Sequence, residues 1–347
     1  MHIKEKILEL HRSSSEYTPV KPLLNGISID LLDKIVDDST CDTFLENRLK
    51  QMEAALDGIN ISHGPKWKDL YSLYKEMEIY LRLKSSFIIE AIPETDHKTP
   101  DFCIQFRGEK IFAELKTLLA MYADLFYKSI DEAGLDAAVK TETELINAVA
   151  NPSENFSPDK IIIFSSEIVV APHRKDATYD PRSKLHVIKN IINKFAQNFK
   201  REQYACGNTI SIIDITQLGL ISPLILSLLP IHKSLSPQQS IAFESGELWN
   251  IAFGVQNQIL FRQPEFNGCS NYDSNLTENG IMNDYPDVKG ILFHSSSNYS
   301  DSRFVGIHRS NENRGIIDFF KFLCKNACND EKNSNFYFLH ANQSHSA

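Results

Sequence analysis

The sequence predicts an α/β fold in which helices flank a mixed central sheet. Residues 65–83 carry apolar side chains at helical spacing, residues 101–117 alternate like the two strands of a hairpin, and residues 209–216 resemble a buried strand. The chain has 347 residues, of which 42% are apolar and 23% are charged, so it is able to bury a large core. A helical N-terminal lead-in and a C-terminal α+β extension complete the predicted architecture.

The first elements are predicted to be helical. Residues 29–36 and 44–56 each carry apolar residues at helical intervals, and Gly58 is suited to end the second of these helices. The helix over residues 65–83 follows, and a strand is predicted near residues 86–92.

Residues 101–117 are predicted to form a hairpin whose two-residue turn consists of Gly108 and Glu109. Such a turn fixes the register, and the period of two then puts six apolar side chains on one face. The predicted apolar pairs are Phe106 with Ile111, Ile104 with Ala113, and Phe102 with Leu115.

The other face of this hairpin brings charged side chains together. The predicted register puts Asp101 opposite Lys116 and Cys103 opposite Glu114. Two carboxylates and an ammonium group are difficult to explain as a solvated surface, because the apolar residues around them favour burial. A divalent cation would resolve this conflict.

The string Pro100-Asp101, followed by Glu114-x-Lys116, resembles the signature of the PD-(D/E)xK nuclease superfamily. The resemblance implies a restriction-endonuclease-like core in which Asp101 and Glu114 bind Mg²⁺, with Mn²⁺ expected to substitute. It also implies that Lys116 positions or activates the attacking water. The carbonyl oxygen of Leu115 could add a further metal ligand.

A supporting carboxylate is often supplied in that superfamily by the helix before the first strand. At about 100° per residue, Glu78 lies inside the apolar stripe of the helix over residues 65–83, whereas Glu76 lies on the far side. Glu78 is therefore predicted to bind metal through water or to hold a second ion. The alternative is that Glu78 sits at the edge of the stripe and pairs with Arg82.

A basic segment follows in the middle of the chain. From residue 183 to 201 its apolar residues recur at helical spacing, which predicts an amphipathic helix with a basic outer face that could follow a phosphate backbone. The predicted nucleic-acid-binding residues are Arg174, Lys175, Arg182, Lys184, Lys189 and Lys194. A solvated face that balances an acidic protein explains the same pattern equally well.

The remaining elements are predicted more coarsely. Residues 121–149 are predicted to be mainly helical with a break at Gly134, and residues 160–170 to form a strand. Residues 289–308 are predicted to form a hairpin with a polar loop, and residues 316–328 a final helix.

Four regions are predicted along the chain. They are a helical lead-in (1–60), a nuclease core (61–217), a C-terminal extension for substrate or partner recognition (218–328) and a polar tail (329–347). Asp214 closes the last strand of the core. It is interpreted either as a site residue or, more simply, as a strand-end cap or turn residue.

Composition limits the classes of function. A net charge of −9 argues against a protein that binds nucleic acid over its whole surface. A local basic groove is still compatible with this net charge. Without an apolar signal region or a long apolar run, the chain is expected to be cytoplasmic, with no membrane partner. The six cysteines are dispersed without a CxxC pair, so we expect reduced thiols and no structural zinc.

The sequence thus predicts a Mg²⁺-dependent endodeoxyribonuclease that acts in restriction, anti-phage defence or DNA processing. A homodimer is expected by analogy with enzymes that cut both DNA strands. Because no Walker-type loop is present, any motor activity would come from a separate ATPase or another defence protein. Two alternatives stay open: a catalytically inactive protein of this fold that binds nucleic acid or scaffolds a defence complex, and a nuclease that acts on RNA.

Overall fold

The computed structural model describes residues 3–14, 21–57, 59, 64–93, 98–118, 184–216, 232–235, 241–244, 246–263, 272–296, 303–325 and 327–332. Residues 1–119 and 187–347 form one compact unit, and residues 120–186 form a second, of which only 184–186 are described. The predicted helix over residues 121–149, the predicted strand over residues 160–170 and most of the polar tail lie outside the described residues.

The described helices are α1 (Ile3–Ser13), α2 (Lys21–Asn25), α3 (Ile29–Ser39), α4 (Thr43–Leu56), α5 (Gly64–Lys84), α6 (Lys184–Asn198), α7 (Glu247–Phe253), α8 (Ile281–Asp284) and α9 (Arg314–Cys324), and a 3₁₀ helix spans Arg201–Tyr204. The predicted helices of the lead-in, the helix before the first strand and the helix of the basic segment are confirmed as α3, α4, α5 and α6. Ser28 caps the N-terminus of α3 and Asp42 caps that of α4: the Ser28 side chain accepts one hydrogen bond from an N–H group of the first turn, and the Asp42 side chain accepts two.

The described strands are β1 (Ile88–Ala91), β2 (Phe102–Phe106), β3 (Glu109–Thr117), β4 (Thr209–Asp214), β5 (His232–Leu235), β6 (Ile241–Glu244), β7 (Ile259–Gln263), β8 (Tyr272–Asn275), β9 (Gly290–Ser295), β10 (Arg303–His308) and β11 (Cys328–Asp330). Seven of them form a mixed sheet in the order β1-β2-β3-β4-β9-β10-β11. The pairs β3–β4, β4–β9 and β10–β11 are parallel, and the others are antiparallel. Strands β5 to β8 form a separate antiparallel sheet.

The turn of the first hairpin differs from the prediction. Arg107 and Gly108 are the central residues, with φ values of 50° and 84°, and Phe106 pairs with Glu109. Positive φ at both positions is what a two-residue hairpin turn of type I′ requires, and glycine adopts it without steric cost. The register is therefore shifted by two residues relative to the prediction, and Cys103 pairs with Phe112.

A shift of two residues leaves each side chain on its predicted face, because side chains alternate with a period of two. Ile104, Ile111 and Ala113 are buried in the core that also contains residues of α5 and α9. The opposite face carries Glu114 and, on the neighbouring strand β4, Ser211.

The two faces of the sheet pack against different helices. On the face that carries Ile104, Phe106 of β2 contacts Phe319 of α9 with 5.6 Å between ring centroids. On the opposite face, the hydroxyl of Tyr204 lies 3.4 Å from Ser211 Oγ, and Tyr204 also packs against Phe195 of α6. The sheet is thus flanked by helices, as the sequence predicts.

The C-terminal elements confirm one prediction and correct another. Strands β9 and β10 form the predicted antiparallel hairpin. The predicted helix over residues 316–328 ends at Cys324. The next residue, Lys325, has a φ of 54°, which is incompatible with a right-handed α-helix. Cys328 instead begins β11, which pairs with β10.

The helical lead-in packs directly on the sheet-bearing part of the chain. α4 and α3 both contact α5, and side chains of α1, α3, α4 and α5 share one hydrophobic core with the sheet. In the described parts of the chain, no helix has both the length and the apolar character needed to cross a membrane.

Candidate active site

Asp101 and Glu114 meet at the open end of the hairpin formed by β2 and β3. If the observed register is continued by one pair, Asp101 lies opposite Glu114, whereas the sequence predicted Lys116 in that place. Asp101 Oδ2 accepts a hydrogen bond of 2.7 Å from the backbone N–H of Leu115. This bond holds the Asp101 carboxylate beside the strand that carries Glu114.

Burial governs the charge of this carboxyl pair. Burial and the charge of Asp101 raise the pKa of Glu114, Lys116 and the Gln203 amide act in the opposite direction, and the pKa that results is about 7. Burial likewise raises the pKa of Asp101, which the Leu115 N–H and the charge of Lys116 partly offset. Two carboxyl groups in this position favour either a shared proton or a bound cation.

Lys116 supplies the positive charge of the site. Its Nζ lies 2.5 Å from Glu114 Oε1, and its side chain is 14% exposed. Lys116 and Glu114 are two residues apart on β3 and therefore project to the same face of the sheet. The ammonium group can thus reach both the carboxyl pair and the adjoining cleft.

The donor set fits a hard divalent cation. Glu114 is only 3% exposed, and its Oε2 is buried without a hydrogen-bond partner among the described residues. Because N–H and C=O of one strand residue point the same way, the Leu115 carbonyl faces the side on which Asp101 lies. One or two carboxylates, a carbonyl and water are the ligands that Mg²⁺ commonly takes in proteins.

Within the described residues, the carboxyl pair is not joined by a third metal-binding side chain. Among the residues that the structure describes, no group of three or more His, Cys, Asp or Glu side chains is arranged to hold a metal ion. An ion here would therefore depend on the pair Asp101 and Glu114, on the backbone and on water.

Glu78 is found elsewhere. It points inward, as predicted, and is 1% exposed, but its Oε2 lies 2.8 Å from Lys75 Nζ and its Oε1 lies 3.9 Å from His294 Nε2. His294 pairs in register with Asp214, and both project to the face of the sheet opposite Glu114. The structure therefore does not bring Glu78 together with Asp101 and Glu114.

Asp214 belongs to the same buried group as Glu78. Its Oδ1 lies 2.8 Å from His294 Nδ1 and accepts a hydrogen bond from the hydroxyl of Thr216. Burial alone would raise the pKa of Asp214, but the charge of Lys75 and the bonds to His294 and Thr216 outweigh burial and lower it. Asp214 is thus a charged, buried strand-end residue outside the carboxyl pair.

Glu76 is a carboxylate of α5 that reaches the candidate site. Two clefts, each lined by Glu76, adjoin the carboxyl pair. The α4 cleft, of about 580 Å³, also contains Asp101 and Arg48, and the β3 cleft, of about 250 Å³, contains Lys116 and Lys194. Glu76 Oε2 lies 2.8 Å from Arg48 Nε.

Sequence reasoning missed Glu76 because it assigned a single buried face to α5. This helix is contacted by α3 and α4 as well as by β1 and β3, so the far side of its apolar stripe is also part of an interface. No spacing rule within α5 reveals that interface, since it depends on the pairing of Glu76 with Arg48 of another helix.

The predicted basic residues have different surroundings. Lys194 lines the β3 cleft with Lys116, whereas Lys189 lies 3.9 Å from Glu278. The side chain of Lys184 and the residues Arg174, Lys175 and Arg182 lie outside what the structure describes. Lys194 is therefore the member of this predicted set that the structure brings to the candidate site.

The chain matches no protein-family model, no curated protein and no solved structure. Its likeness to PD-(D/E)xK nucleases consequently depends on the residues Pro100-Asp101 and Glu114-x-Lys116. The chemistry of these side chains is the basis for any functional assignment.

Proposed function

We propose that this protein is a Mg²⁺-dependent nuclease that hydrolyses phosphodiester bonds in DNA. The observation that carries the proposal is the partly buried Asp101 next to the buried Glu114 and Lys116, with the pKa of Glu114 raised to about 7. Such a pair is unfavourable by itself, and a divalent cation would offset its charge. Endonucleolytic action in restriction, anti-phage defence or DNA processing is what the resemblance to PD-(D/E)xK nucleases implies.

Asp101, Glu114 and the carbonyl of Leu115 would hold the ion. When bound, Mg²⁺ supplies charge stabilisation for the phosphate and acidifies coordinated water. Mn²⁺ would substitute because it accepts the same oxygen ligands.

Lys116 acts on the water that attacks phosphorus. Its ammonium nitrogen lies 2.5 Å from Glu114 Oε1, beside the position proposed for the metal ion. A charged lysine orients and stabilises hydroxide rather than removing a proton as a general base. Lys194 lines the same β3 cleft and would contact a phosphate of the substrate.

Cleavage assays test the proposal. Labelled duplex DNA, single-stranded DNA and RNA are incubated with Mg²⁺, with Mn²⁺ or with EDTA, and we expect DNA to be cut only when metal is present. Asp101→Asn, Glu114→Gln and Lys116→Ala should each lower the rate by about a hundredfold or more. Cleavage in EDTA at the full rate would overturn the metal-dependent mechanism.

Lys110→Ala is the matched control for Lys116→Ala. Lys110 lies on the same strand and the same face, but it is exposed and six residues away, about 20 Å along the strand. We expect the Lys110→Ala protein to cut at the parental rate. Equal cutting by the Lys116→Ala protein would remove Lys116 from the mechanism.

A second proposal is a catalytically inactive protein of this fold that binds nucleic acid or scaffolds a defence complex. It is favoured because, among the described residues, Asp101 and Glu114 are not joined by a third side chain that could bind a metal ion. Binding of DNA without cleavage of any of the three substrates would support this alternative.

The biological setting is part of the same proposal. We propose a cytoplasmic enzyme that acts as a homodimer, by analogy with nucleases that cut both strands. If strand translocation accompanies cleavage, a separately encoded ATPase or other defence protein would supply it.

A further inference from the structure

The α4 cleft adjoins the carboxyl pair and has a lining unlike that of the metal site. Its wall is one face of α4, and Asp101 and Glu76 lie at the side where it meets the candidate site. The α4 residues in this wall are Thr43, Phe44, Asn47, Arg48, Lys50 and Gln51. At about 580 Å³, its volume falls within the range of about 300–1,000 Å³ that is usual for ligand pockets.

An aromatic ring is fixed in this cleft. Phe44 is half-buried, and its ring packs against Tyr80 and Phe102 with centroid distances of 4.5 and 5.7 Å. The guanidinium group of Arg48 lies 5.5 Å from the centroid of Phe44. Because neighbouring side chains hold the ring in place, stacking a planar ligand against it would cost little conformational entropy.

Polar groups surround the ring. Arg48 is anchored by Glu76 at 2.8 Å and donates a 2.8 Å hydrogen bond to Gln51 Oε1. Asn47 and Lys50 are exposed on the same helix. Lys50 pairs with Glu46 at 2.5 Å, but both side chains are at least half exposed, and such surface pairs are weak enough to be exchanged for a phosphate.

We infer that the α4 cleft binds an unpaired base of the substrate, next to the phosphate held at Asp101 and Glu114. The base stacks on the surface that Phe44 and the Arg48 guanidinium over it form together, the amides of Asn47 and Gln51 bond to its edge, and Lys50 contacts the adjoining phosphate. An aromatic ring with amides and a cation is the combination that proteins use for single-stranded nucleic acid. A fully paired duplex would first have to unpair and unstack a base before this cleft could bind it, which weakens its binding relative to a single strand.

This inference rests on the proposed function, since it names the class of substrate for the same site. It assigns α4 a role that its place in the helical lead-in does not suggest. The preferred substrate would be a single strand or a duplex with a gap or a flap, rather than an intact duplex.

Equilibrium binding tests the inference independently of cleavage. Fluorescence anisotropy is measured with Ca²⁺ in place of Mg²⁺, using a labelled single strand, the same sequence as a complete duplex, and a duplex with a short gap. We expect the single strand and the gapped duplex to bind at least about fivefold more tightly than the complete duplex. Equal or tighter binding of the complete duplex would overturn the inference.

Two variants and a control test whether the α4 cleft causes the preference for DNA with unpaired bases. Phe44→Leu and Asn47→Ala should each weaken binding of the single strand by about fivefold or more, with less effect on the complete duplex. Phe322→Leu is the matched control, because Phe322 also contacts two aromatic rings, Phe87 and Phe106, but lies on α9 away from the cleft. A loss of single-strand binding equal in the control and in the Phe44→Leu protein would contradict the inference.

The two hypotheses fail in different ways. Cleavage in Mg²⁺ without a binding preference for unpaired bases would keep the nuclease and reject the base-binding cleft. A preference for unpaired bases that is lost in Phe44→Leu, without cleavage of any substrate, would keep the cleft and reject the nuclease. Asn47 is exposed, so the Asn47→Ala protein should fold even if substitution of Phe44 disturbs packing.

Discussion

Lys75 and Glu78 form an ion pair within the protein core. Their charged atoms are 2.8 Å apart, and the side chains are 0% and 1% exposed. Lys75 Nζ also donates a 2.7 Å hydrogen bond to Ser296 Oγ and lies over the rings of Tyr71 and Tyr74. Removing one partner of such a pair leaves a buried charge without compensation.

We therefore expect Glu78→Ala to lower the free energy of unfolding by about 3–5 kcal/mol. The double variant Lys75→Met with Glu78→Leu should be less destabilised than either single variant, because it removes both charges and preserves apolar volume. Urea unfolding followed by circular dichroism measures these differences.

Glu46→Ala provides the comparison, since Glu46 pairs with Lys50 on the exposed surface. It should change the free energy of unfolding by less than about 1 kcal/mol. If Glu78→Ala costs no more than this surface substitution, the buried pair is not important for stability.

Glu76 and Glu78 should have opposite effects on cleavage. Glu76 lines both clefts at the carboxyl pair, whereas Glu78 lies with Lys75 and His294 on the other face of the sheet. We expect Glu76→Gln to lower the cleavage rate by about tenfold or more while the protein stays folded. Glu78→Gln should retain the parental rate per folded molecule, although its stability falls.

The measurement is the initial rate on labelled DNA in Mg²⁺, corrected for the folded fraction at the assay temperature. Glu53→Gln, an exposed substitution on α4, is the control for loss of a carboxylate. The reverse order, with Glu78→Gln inactive and Glu76→Gln active, would return the supporting role to Glu78.

The faces of the first hairpin could be predicted from the sequence, and its register could not. Alternation with a period of two assigns Ile104 and Ala113 to one face whichever residues form the turn. Both possible turns contain Gly108, and the choice between them depends on whether Arg107 or Glu109 adopts the second positive φ. A pattern of apolar residues does not encode that choice.

The contacts of the α5 carboxylate Glu78 could not be predicted from the sequence for a different reason. The apolar stripe correctly predicts that Glu78 is buried, but it does not tell which face of the sheet Glu78 meets. The face is decided by contact with His294, which lies 216 residues after Glu78 in the sequence (294 − 78). Strand β11 was missed similarly, since three residues form a strand only because β10 lies beside them.

The turn at Arg107 and Gly108 gives a direct test of the register. Gly108 has a φ of 84° with open space around its Cβ position, so Gly108→Ala should lower the free energy of unfolding by about 1–2 kcal/mol through backbone strain alone. Arg107→Asn should instead stabilise the protein by a few tenths of a kcal/mol or more, because asparagine followed by glycine is the preferred type I′ pair.

Thermal unfolding of both variants measures these changes. Lys110→Ala, an exposed change just beyond the turn, serves as the control and should be nearly neutral. If the turn were formed by Gly108 and Glu109, substitution of Arg107 by asparagine would bring no stabilisation.

Asp42 links the start of α4 to the end of α5 and should make stability depend on pH. Its Oδ1 caps α4 by accepting hydrogen bonds from the N–H groups of Phe44 and Leu45. Its Oδ2 accepts hydrogen bonds from the Tyr80 hydroxyl at 2.9 Å and from Lys84 Nζ at 2.5 Å. Asp42→Ala should therefore lower the free energy of unfolding by about 2–3 kcal/mol.

The charge on Asp42 accounts for part of this effect. Burial alone would raise the pKa of Asp42, but the bonds from Lys84, Tyr80 and the Leu45 N–H outweigh burial and lower it below its ordinary value. A carboxylate whose pKa is lower in the folded state stabilises the protein above its unfolded pKa of about 3.9. That contribution is lost as the pH falls through the folded pKa.

The comparison of the parent with Asp42→Asn isolates this charge, because asparagine also caps helices but does not ionise. Urea unfolding at a series of pH values should give the largest difference in stability above about pH 5, where the carboxylate is charged in both states. The difference should shrink as the pH falls below about 4, since the parent then takes up a proton that the variant cannot bind. A difference that stays constant from neutral pH to acid would mean that Asp42 stabilises α4 through neutral hydrogen bonds and not through its pairing with Lys84.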